Sequence, residues 1–421
     1  MYSSRTYERE NLACTSRKTM KNNHAAISPV AITAYSALSA CGMGNKALYQ
    51  CLAANQSELK PLSLFKIPFP AYVGEIKQPL LDIRDQLAEY NCRNARVALT
   101  ALNDKQGGVR NAVEVAKEKY GVHRIGVIIG TSTSGLYETE AAYAVLLDTG
   151  KMPDDFHFVT EHAYQATARF VQLELGLTGI CYAISTACSS GAKAIAAGQR
   201  LINGGLCDAV IVGGVDTLCR LTLRGFRSLE LVANRPCTPM DRDRQGISIG
   251  EAAGLLVLEK THVGNSNAMK VLSVGESSDA HHMSTPHPEG KGAALAMNNA
   301  LQLAGLTADN IDYLNLHATG TKINDSVESR AVFSVFADSL ACSGTKGITG
   351  HTLGAAGALE TIIALIALQQ QFIPGTQGLR ELDDDCQCQV IQTPLHAQKL
   401  QIAMSNSFGF GGNNASVVVS L

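Results

Sequence analysis

Apolar residues fall along this chain in two kinds of run that alternate from end to end. Short blocks rich in Val, Ile and Leu predict strands over 31–33, 124–129, 180–185, 209–213 and 254–259. A second series of the same kind falls at 269–274, 313–317, 403–407 and 415–420. Between them, longer stretches with helical spacing or high alanine content predict helices over 93–105, 162–175, 191–203, 292–304, 325–336 and 353–371. Strand and helix in alternation signal an α/β fold with layered sheets. The two halves are alike in kind. Each has strands that end in Gly/Ser/Thr-rich turns, and each holds one helix rich in Ala and Gly, at 191–204 and 353–368. Small residues let helices approach closely, so these two are expected to lie buried between sheet layers. The pattern implies a duplication with its boundary in the polar stretch near 260–268, giving halves at 27–265 and 266–421.

Residues 1–26 break the pattern. They are polar and basic, with Arg5, Arg9, Arg17, Lys18 and Lys21, and have no apolar block of the signal-peptide kind. They are expected to be a flexible tail, with Met20 as a plausible true start.

Composition narrows the class. Of 421 residues, 46% are hydrophobic and 17% charged, which fits a large core. The net charge of −2 gives no reason to expect nucleic acid as a partner. No run approaches the ~18 apolar residues of a membrane span. Twelve cysteines without a secretory signal point to a reducing, cytoplasmic setting. Cys386 and Cys388 form a C-x-C pair, but no second pair stands at zinc-ligand spacing, so no metal is expected.

The chemistry centres on Cys188. An apolar stretch (180–184) breaks at small residues, and good helix formers begin directly behind the sulfur in Ala187-Cys188-Ser189-Ser190-Gly191-Ala192. A thiol at such a strand-to-helix elbow faces free backbone N–H groups and the positive end of the helix dipole, both of which favour thiolate. His317 closes a buried-strand pattern and opens Ala318-Thr319-Gly320-Thr321. His351 lies in Gly350-His351-Thr352-Leu353-Gly354, just before the second Ala-rich helix, whose N-terminus disfavours imidazolium. Taken singly, either histidine fits a structural role better than a catalytic one.

With Cys188, the His-x-Thr-x-Thr run at His317, the Lys346-to-Glu360 stretch around His351, and the terminal Ser405-Asn406-Ser407-Phe408-Gly409-Phe410-Gly411-Gly412-Asn413, the chain resembles the β-ketoacyl-[acyl-carrier-protein] synthases. The resemblance runs from about residue 28 to the end. It implies a thiolase-like fold, a duplicated five-layered α-β-α-β-α arrangement, and decarboxylative condensation of an acyl thioester on Cys188 with malonyl-carrier protein. It implies that the N–H groups of Cys188 and Phe410 form an oxyanion hole, with the Phe410 side chain as a gate. His317 and His351 would stabilise the enolate, and Lys346 and Glu360 would orient and tune the site. Thr319, Thr321, Ser284 and Thr285 would contact the phosphopantetheine arm, which is a substrate carrier; no tightly bound cofactor is implied. Thr133 and Phe226 would line the acyl pocket, and Arg227 and Arg93 would dock acidic carrier protein. The implied partners are the carrier protein and a second subunit, either a copy of this chain or a relative.

Some positions depart from the family pattern: Ala318 where Gly is common, Gln245 where Asp is common, Lys193 where His is common. Runs at 130–135, 246–251 and 328–332 look closer to synthases of aryl polyene pathways than to housekeeping elongases. A degradative thiolase would place a second cysteine in the 408–412 turn, and an initiating synthase would carry Asn at 351; this chain does neither. The rival reading is a non-catalytic or weakly active partner of the chain-length-factor type, although such subunits usually lack the cysteine.

Overall fold

Among the described residues, each half of the chain contributes five main strands that pair in the same order. In the first half these are β1 (Val30–Ser39), β2 (Ile125–Gly130), β3 (Cys181–Ile184), β4 (Ala209–Asp216) and β5 (Ala252–Lys260). In the second they are β6 (Lys270–Ser278), β7 (Tyr313–Asn315), β8 (Cys342–Ser343), β9 (Ile402–Gly409) and β10 (Asn413–Ser420). The spatial orders are β3-β2-β4-β5-β1 and β8-β7-β9-β10-β6. In each half the first three strands of that order run parallel and the last two pair antiparallel. The two sheets join where β1 pairs with β6, through Val30↔Val271 and Ala31↔Lys270. This shared topology is the duplication that the sequence pattern implies. The computed structural model describes residues 27–265 and 267–421; the tail expected over 1–26, with Met20, lies outside the described residues.

Among the described residues, ten longer helices accompany the strands: α1 (Asn45–Ala53), α2 (Arg93–Leu102), α3 (Val109–Tyr120), α4 (Leu136–Thr149), α5 (Gln165–Glu174), α6 (Ser190–Asn203), α7 (Arg220–Ser228), α8 (Lys291–Ala304), α9 (Lys322–Phe336) and α10 (Ala356–Gln370). Helices α2, α3 and α5 cover the outside of the first sheet, and α8 and α9 cover the second. α6 and α10 lie between the sheets, so the layers run α-β-α-β-α. α10 is buried at every residue from Ala356 to Leu368, which explains its apolar sequence all round. Leu353–Gln370 is long and apolar enough to cross a membrane, but it forms this central core.

Four helices, α1, α3, α4 and α7, fall where no helix is expected from sequence. α4 buries only Thr139 and Ala142 and leaves Tyr143, Val145 and Leu147 exposed, so its apolar residues trace no single stripe. α7 buries only Leu223 and carries Arg220, Arg224 and Arg227. β8, two residues long, is too short to leave a pattern.

Small residues set the approach of the central layers. A Cβ placed on Gly357 would sit 2.7 Å from the Ala192 nitrogen, and one on Gly191 would sit 2.9 Å from the Ala358 nitrogen. The tightest contact under the nucleophile is at Gly130, at the end of β2. A Cβ there would lie 2.4 Å from the Ser190 carbonyl carbon and 2.5 Å from the Gly191 nitrogen. Both are backbone atoms, so the start of α6 must move to admit a methyl. Gly130→Ala is therefore expected to destabilise the chain by about 1–3 kcal/mol, measured by urea denaturation. It should also slow modification of Cys188.

Candidate active site

The turn that presents Cys188 is strained and held in place. β3 ends at Ile184, and α6 starts at Ser190. Between them Ala187 has φ 53°, a left-handed conformation that costs a residue with a Cβ about 1–2 kcal/mol. The Ala187 carbonyl oxygen accepts hydrogen bonds from the Ser190 hydroxyl at 2.6 Å, the Ser190 N–H at 3.1 Å and the Ser132 hydroxyl at 3.2 Å. The Ser190 hydroxyl oxygen also accepts from the Thr186 N–H at 2.9 Å. These bonds over-determine the elbow, as a strained functional turn requires.

The thiol itself does not behave as the elbow alone predicts. Cys188 is 5% exposed, and burial pushes its pKa up to about 11. The Phe410 N–H, the Lys346 charge and its own N–H pull the other way without overcoming burial. The expected preference for thiolate is thus corrected to a protonated thiol. The rate of Cys188 alkylation by iodoacetamide is accordingly expected to rise about tenfold per pH unit from about 7 to 10 without a plateau. A plateau near neutrality would contradict this.

His351 Nε2 lies 3.1 Å from Cys188 Sγ. The rings of His317 and His351 meet edge to face with centroids 5.2 Å apart. The sulfur and one nitrogen from each ring lie within 4.8 Å of one another. Both histidines are pushed well below the usual imidazole pKa, first by burial and then by the Lys346 charge, with His351 adding to the effect on His317. The neutral state expected of His351 is therefore present, but burial causes it more than the helix terminus does.

Lys346 is fully buried and binds three groups. Its Nζ donates to the Glu360 carboxylate, donates to the His317 carbonyl oxygen at 2.5 Å, and lies 3.4 Å from His317 Nδ1. An ammonium facing Nδ1 makes that nitrogen the acceptor and leaves the proton on Nε2. His351 Nδ1, by contrast, has no hydrogen-bond partner among the described residues. Either tautomer is open to that ring. Burial pushes Glu360 up to about 7, against the opposing pull of Lys346.

Two carboxylates that sequence reading did not single out hold this geometry. Glu328, on α9, accepts the N–H groups of His317 and Ala318 on its two oxygens, each at 2.7 Å. That grip fixes Ala318 at φ 29°, a conformation that suits glycine better. Asp216, at the end of β4, accepts from the Thr131 hydroxyl, the Ser132 N–H, the Thr133 N–H and hydroxyl, and the Gly354 N–H at 2.5–2.9 Å. It ties the loop below Cys188 to the segment after His351. The only sequence signal for either was an acidic residue inside a run otherwise fit for burial.

The β9–β10 hairpin carries Phe410 against the sulfur. Gly411 and Gly412 adopt φ 79° and 72°, and a Cβ on Gly412 would lie 2.8 Å from the Asp279 Cβ. Gly411 N–H donates to the Met283 oxygen at 2.7 Å, and Asp279 N–H donates to the Gly412 oxygen at 2.9 Å, so the 279–285 loop steadies the turn. Lys193 donates to Asn413, the first residue after this turn, 3.2 Å away.

Cys188, His317 and His351 lie in the wall of a cavity of about 350 Å³. Thr319, Thr321, Ser284, Thr285, Phe226, Phe410 and Gln245 also line it. The Phe226 and Phe410 rings are 5.5 Å apart. Two expectations are corrected here. Thr133 does not reach this cavity, because its hydroxyl and N–H are both spent on Asp216. Arg93 is not free to dock anything, because it is mostly buried and paired with the buried Glu251 at 2.5 Å. Arg227 is more open, on α7 beside Phe226 and Leu229 at the cavity wall, with its guanidinium 5.5 Å from the Phe69 ring.

Comparison with known proteins adds the family. The model of the β-ketoacyl synthase N-terminal domain matches residues 28–263, and that of the C-terminal domain matches residues 269–380. The chain is 32% identical over 398 residues to 3-oxoacyl-[acyl-carrier-protein] synthase 2 of Coxiella burnetii, covering 90% of this chain and 95% of that protein. It is 33% identical to nodulation protein E of Rhizobium sp. strain N33 over 389 residues, covering 89% and 95%. Among solved structures it is similar to a chain of the ketosynthase ApeO in complex with its chain length factor ApeC from Xenorhabdus doucetiae. That match has TM-score 0.86 and 39% identity and covers 94% of this chain and 98% of that one.

Proposed function

The chain belongs to the β-ketoacyl synthase family, an acyltransferase family, and from that premise we propose how its own residues carry out condensation. The observation that carries the reading is the buried Cys188–His351–His317 cluster, with the Phe410 N–H on the sulfur and a cavity in front.

In the first half-reaction Cys188 Sγ attacks the carbonyl carbon of an acyl thioester on the pantetheine arm of carrier protein. The thiol proton passes to His351 Nε2, 3.1 Å away, and then to the departing pantetheine sulfur. The developing oxyanion takes the N–H groups of Cys188 and Phe410. In the second, malonyl thioester enters and its carbonyl oxygen accepts hydrogen bonds from Nε2–H of His317 and of His351. Carbon dioxide leaves, the enolate carbon attacks the acyl carbonyl, and the carbon–sulfur bond to Cys188 breaks, the departing sulfur taking up one proton from solvent to regenerate the thiol. The unpartnered Nδ1 of His351 lets one ring accept a proton in the first half and donate in the second. Lys346 and Glu360 are positioning residues that keep His317 a donor. Thr319, Thr321, Ser284 and Thr285 offer hydroxyls to the arm, and Phe226 with Phe410 bounds the acyl path.

Arg227, with Arg224 on the same helix and Lys322 at the cavity wall, is assigned to docking acidic carrier protein. The exposed apolar residues Tyr143, Val145, Leu147, Phe158 and Val159 support a subunit interface, with a second copy or a related subunit as occupant. Similarity to a ketosynthase–chain length factor complex favours the related subunit and a polyene or polyketide role in the cytoplasm. The retained cysteine and histidines favour the catalytic member over the silent one.

The test is transfer of a radiolabelled acyl group from carrier protein to this chain. Label is expected on Cys188 and absent in Cys188→Ala. No label on the parent chain, alone or with a related subunit, would sink the enzymatic reading.

A further inference from the structure

Away from the condensing site, two half-buried thiols face each other. Cys41 sits in the tight turn by which the short strand Gly42–Met43 folds back on β1. Cys51 lies in the last turn of α1. Cys51 Sγ is 3.8 Å from the Cys41 carbonyl oxygen, which sets the two residues side by side. Both are partly exposed. Their proximity shifts the two thiols in opposite directions: Cys41 holds the Cys51 thiol below its usual pKa, while Cys51 and burial hold Cys41 well above. A more acidic, more open thiol beside a resolving one is the arrangement in which oxidation ends in a disulfide.

The chain supplies its own contrast. Cys342 and Cys388 shift each other's thiols in the same opposed way, but they are 0% and 2% exposed inside the second-half core. No solvent oxidant reaches them in the folded state. Cys41 and Cys51 are distinguished by access as well as by proximity.

The segment after Cys51 leads back to the site. Gln56 N–H bonds the Cys51 oxygen at 3.0 Å, which closes the end of α1. The Ser57 hydroxyl then donates to the Gly347 oxygen at 2.8 Å, and Glu58 N–H donates to the Ile348 oxygen at 3.1 Å. Gly347 and Ile348 belong to the single helical turn Lys346–Thr349 that carries the buried lysine. A covalent bond at Cys51 would pull on a segment two hydrogen bonds removed from Lys346.

We propose that Cys41 and Cys51 are a peroxide-oxidisable dithiol, a modification site whose redox state reaches the turn that holds Lys346. In the first step Cys51 sulfur, as thiolate, attacks one oxygen of hydrogen peroxide. The O–O bond breaks, Cys51 becomes a sulfenic acid, and water leaves. In the second, Cys41 sulfur attacks Cys51 sulfur, the S–O bond breaks, and a second water leaves. Two thiols are oxidised by two electrons, one peroxide is reduced, and the two thiol protons end in the two waters. The inference does not depend on which acyl group the site takes.

The full-length Cys188→Ala chain removes the other thiol of mechanistic interest and serves as the background. It is reduced, exposed to hydrogen peroxide, alkylated without reductant and digested. The expected product is a cross-linked peptide joining Cys41 to Cys51, lighter by two hydrogens and reversed by dithiothreitol. Amide hydrogen exchange at Glu58 and across 347–350 is expected to change with it. Added Cys51→Ser should abolish both effects, and added Cys41→Ser should leave Cys51 as a sulfenic or sulfinic acid without a link. Full alkylation of both thiols after peroxide, or over-oxidation of Cys51 with Cys41 still free in the parent background, overturns the dithiol. A link that leaves exchange at 58 and 347–350 unchanged overturns the coupling to Lys346.

Discussion

His317→Ala is expected to cut condensation by about 10²–10³-fold while leaving acyl transfer to Cys188 within about threefold of the parent. The two half-reactions separate because they draw on different donors. Acylation uses the Cys188 sulfur, His351 Nε2 at 3.1 Å and the Phe410 N–H, and none of these is hydrogen-bonded to the His317 ring. Decarboxylation places a negative charge on an oxygen that both rings must face. Losing one of two neutral donors in a site from which water is excluded costs far more than losing it in water. The fold should survive, since Glu328 and Lys346 grip the backbone of residue 317 and not only its ring. Rates of label transfer to Cys188 and of carbon dioxide release, measured on the same preparation, check the split. Equal loss of both would move His317 into the acylation step.

Glu360→Ala is expected to destabilise the chain by about 1–3 kcal/mol, because it leaves the buried Lys346 Nζ without the side-chain oxygen that accepts its hydrogen bond. Lys346 is 0% exposed and Glu360 2%, so water cannot replace the lost partner. The effect on activity should follow through His317, with turnover falling more than substrate KM, as expected of a positioning group. The pH dependence has a definite sign. Glu360 titrates at about 7 in the fold against an ordinary 4.5, so the folded chain holds a proton that the unfolded chain releases within that window. Its contribution to stability is complete below about 4.5 and is lost as pH rises through about 7. The gap between parent and Glu360→Ala should therefore be wider at pH 5 than at pH 8 in chemical denaturation, and a gap that widens with pH would contradict the account.

What the sequence revealed and what it hid follow from the range of the interactions. The elbow at Cys188 and the two Ala-rich central helices were legible because each is written in adjacent residues. So, in part, were the strands of the two halves, as two series of apolar runs, although the order in which they pair was not. Glu328 and Asp216 were not, because their partners are backbone N–H groups brought close by the sheet: residues 317 and 318 for one, 131–133 and 354 for the other. The same limit explains the errors at single residues. Arg93 reads as a surface cation until β5 and the segment beyond β4 put Glu251 against it. Thr133 reads as a pocket residue until Asp216 takes its hydroxyl. The thiol of Cys188 reads as activated by its helix terminus, but depth of burial, which no local pattern reports, outweighs the local N–H groups.

The most direct test of the central claim is a complete turnover. Acyl-carrier protein and malonyl-carrier protein, isotopically labelled in the carboxyl that leaves, are incubated with the chain and with a related subunit where one is required. Intact-mass analysis of the carrier arm should show a β-ketoacyl group two carbons longer than the donor acyl, with one labelled carbon dioxide released per product and no product from Cys188→Ala. Unchanged malonyl arms, with Cys188 free of acyl group under those conditions, would contradict it.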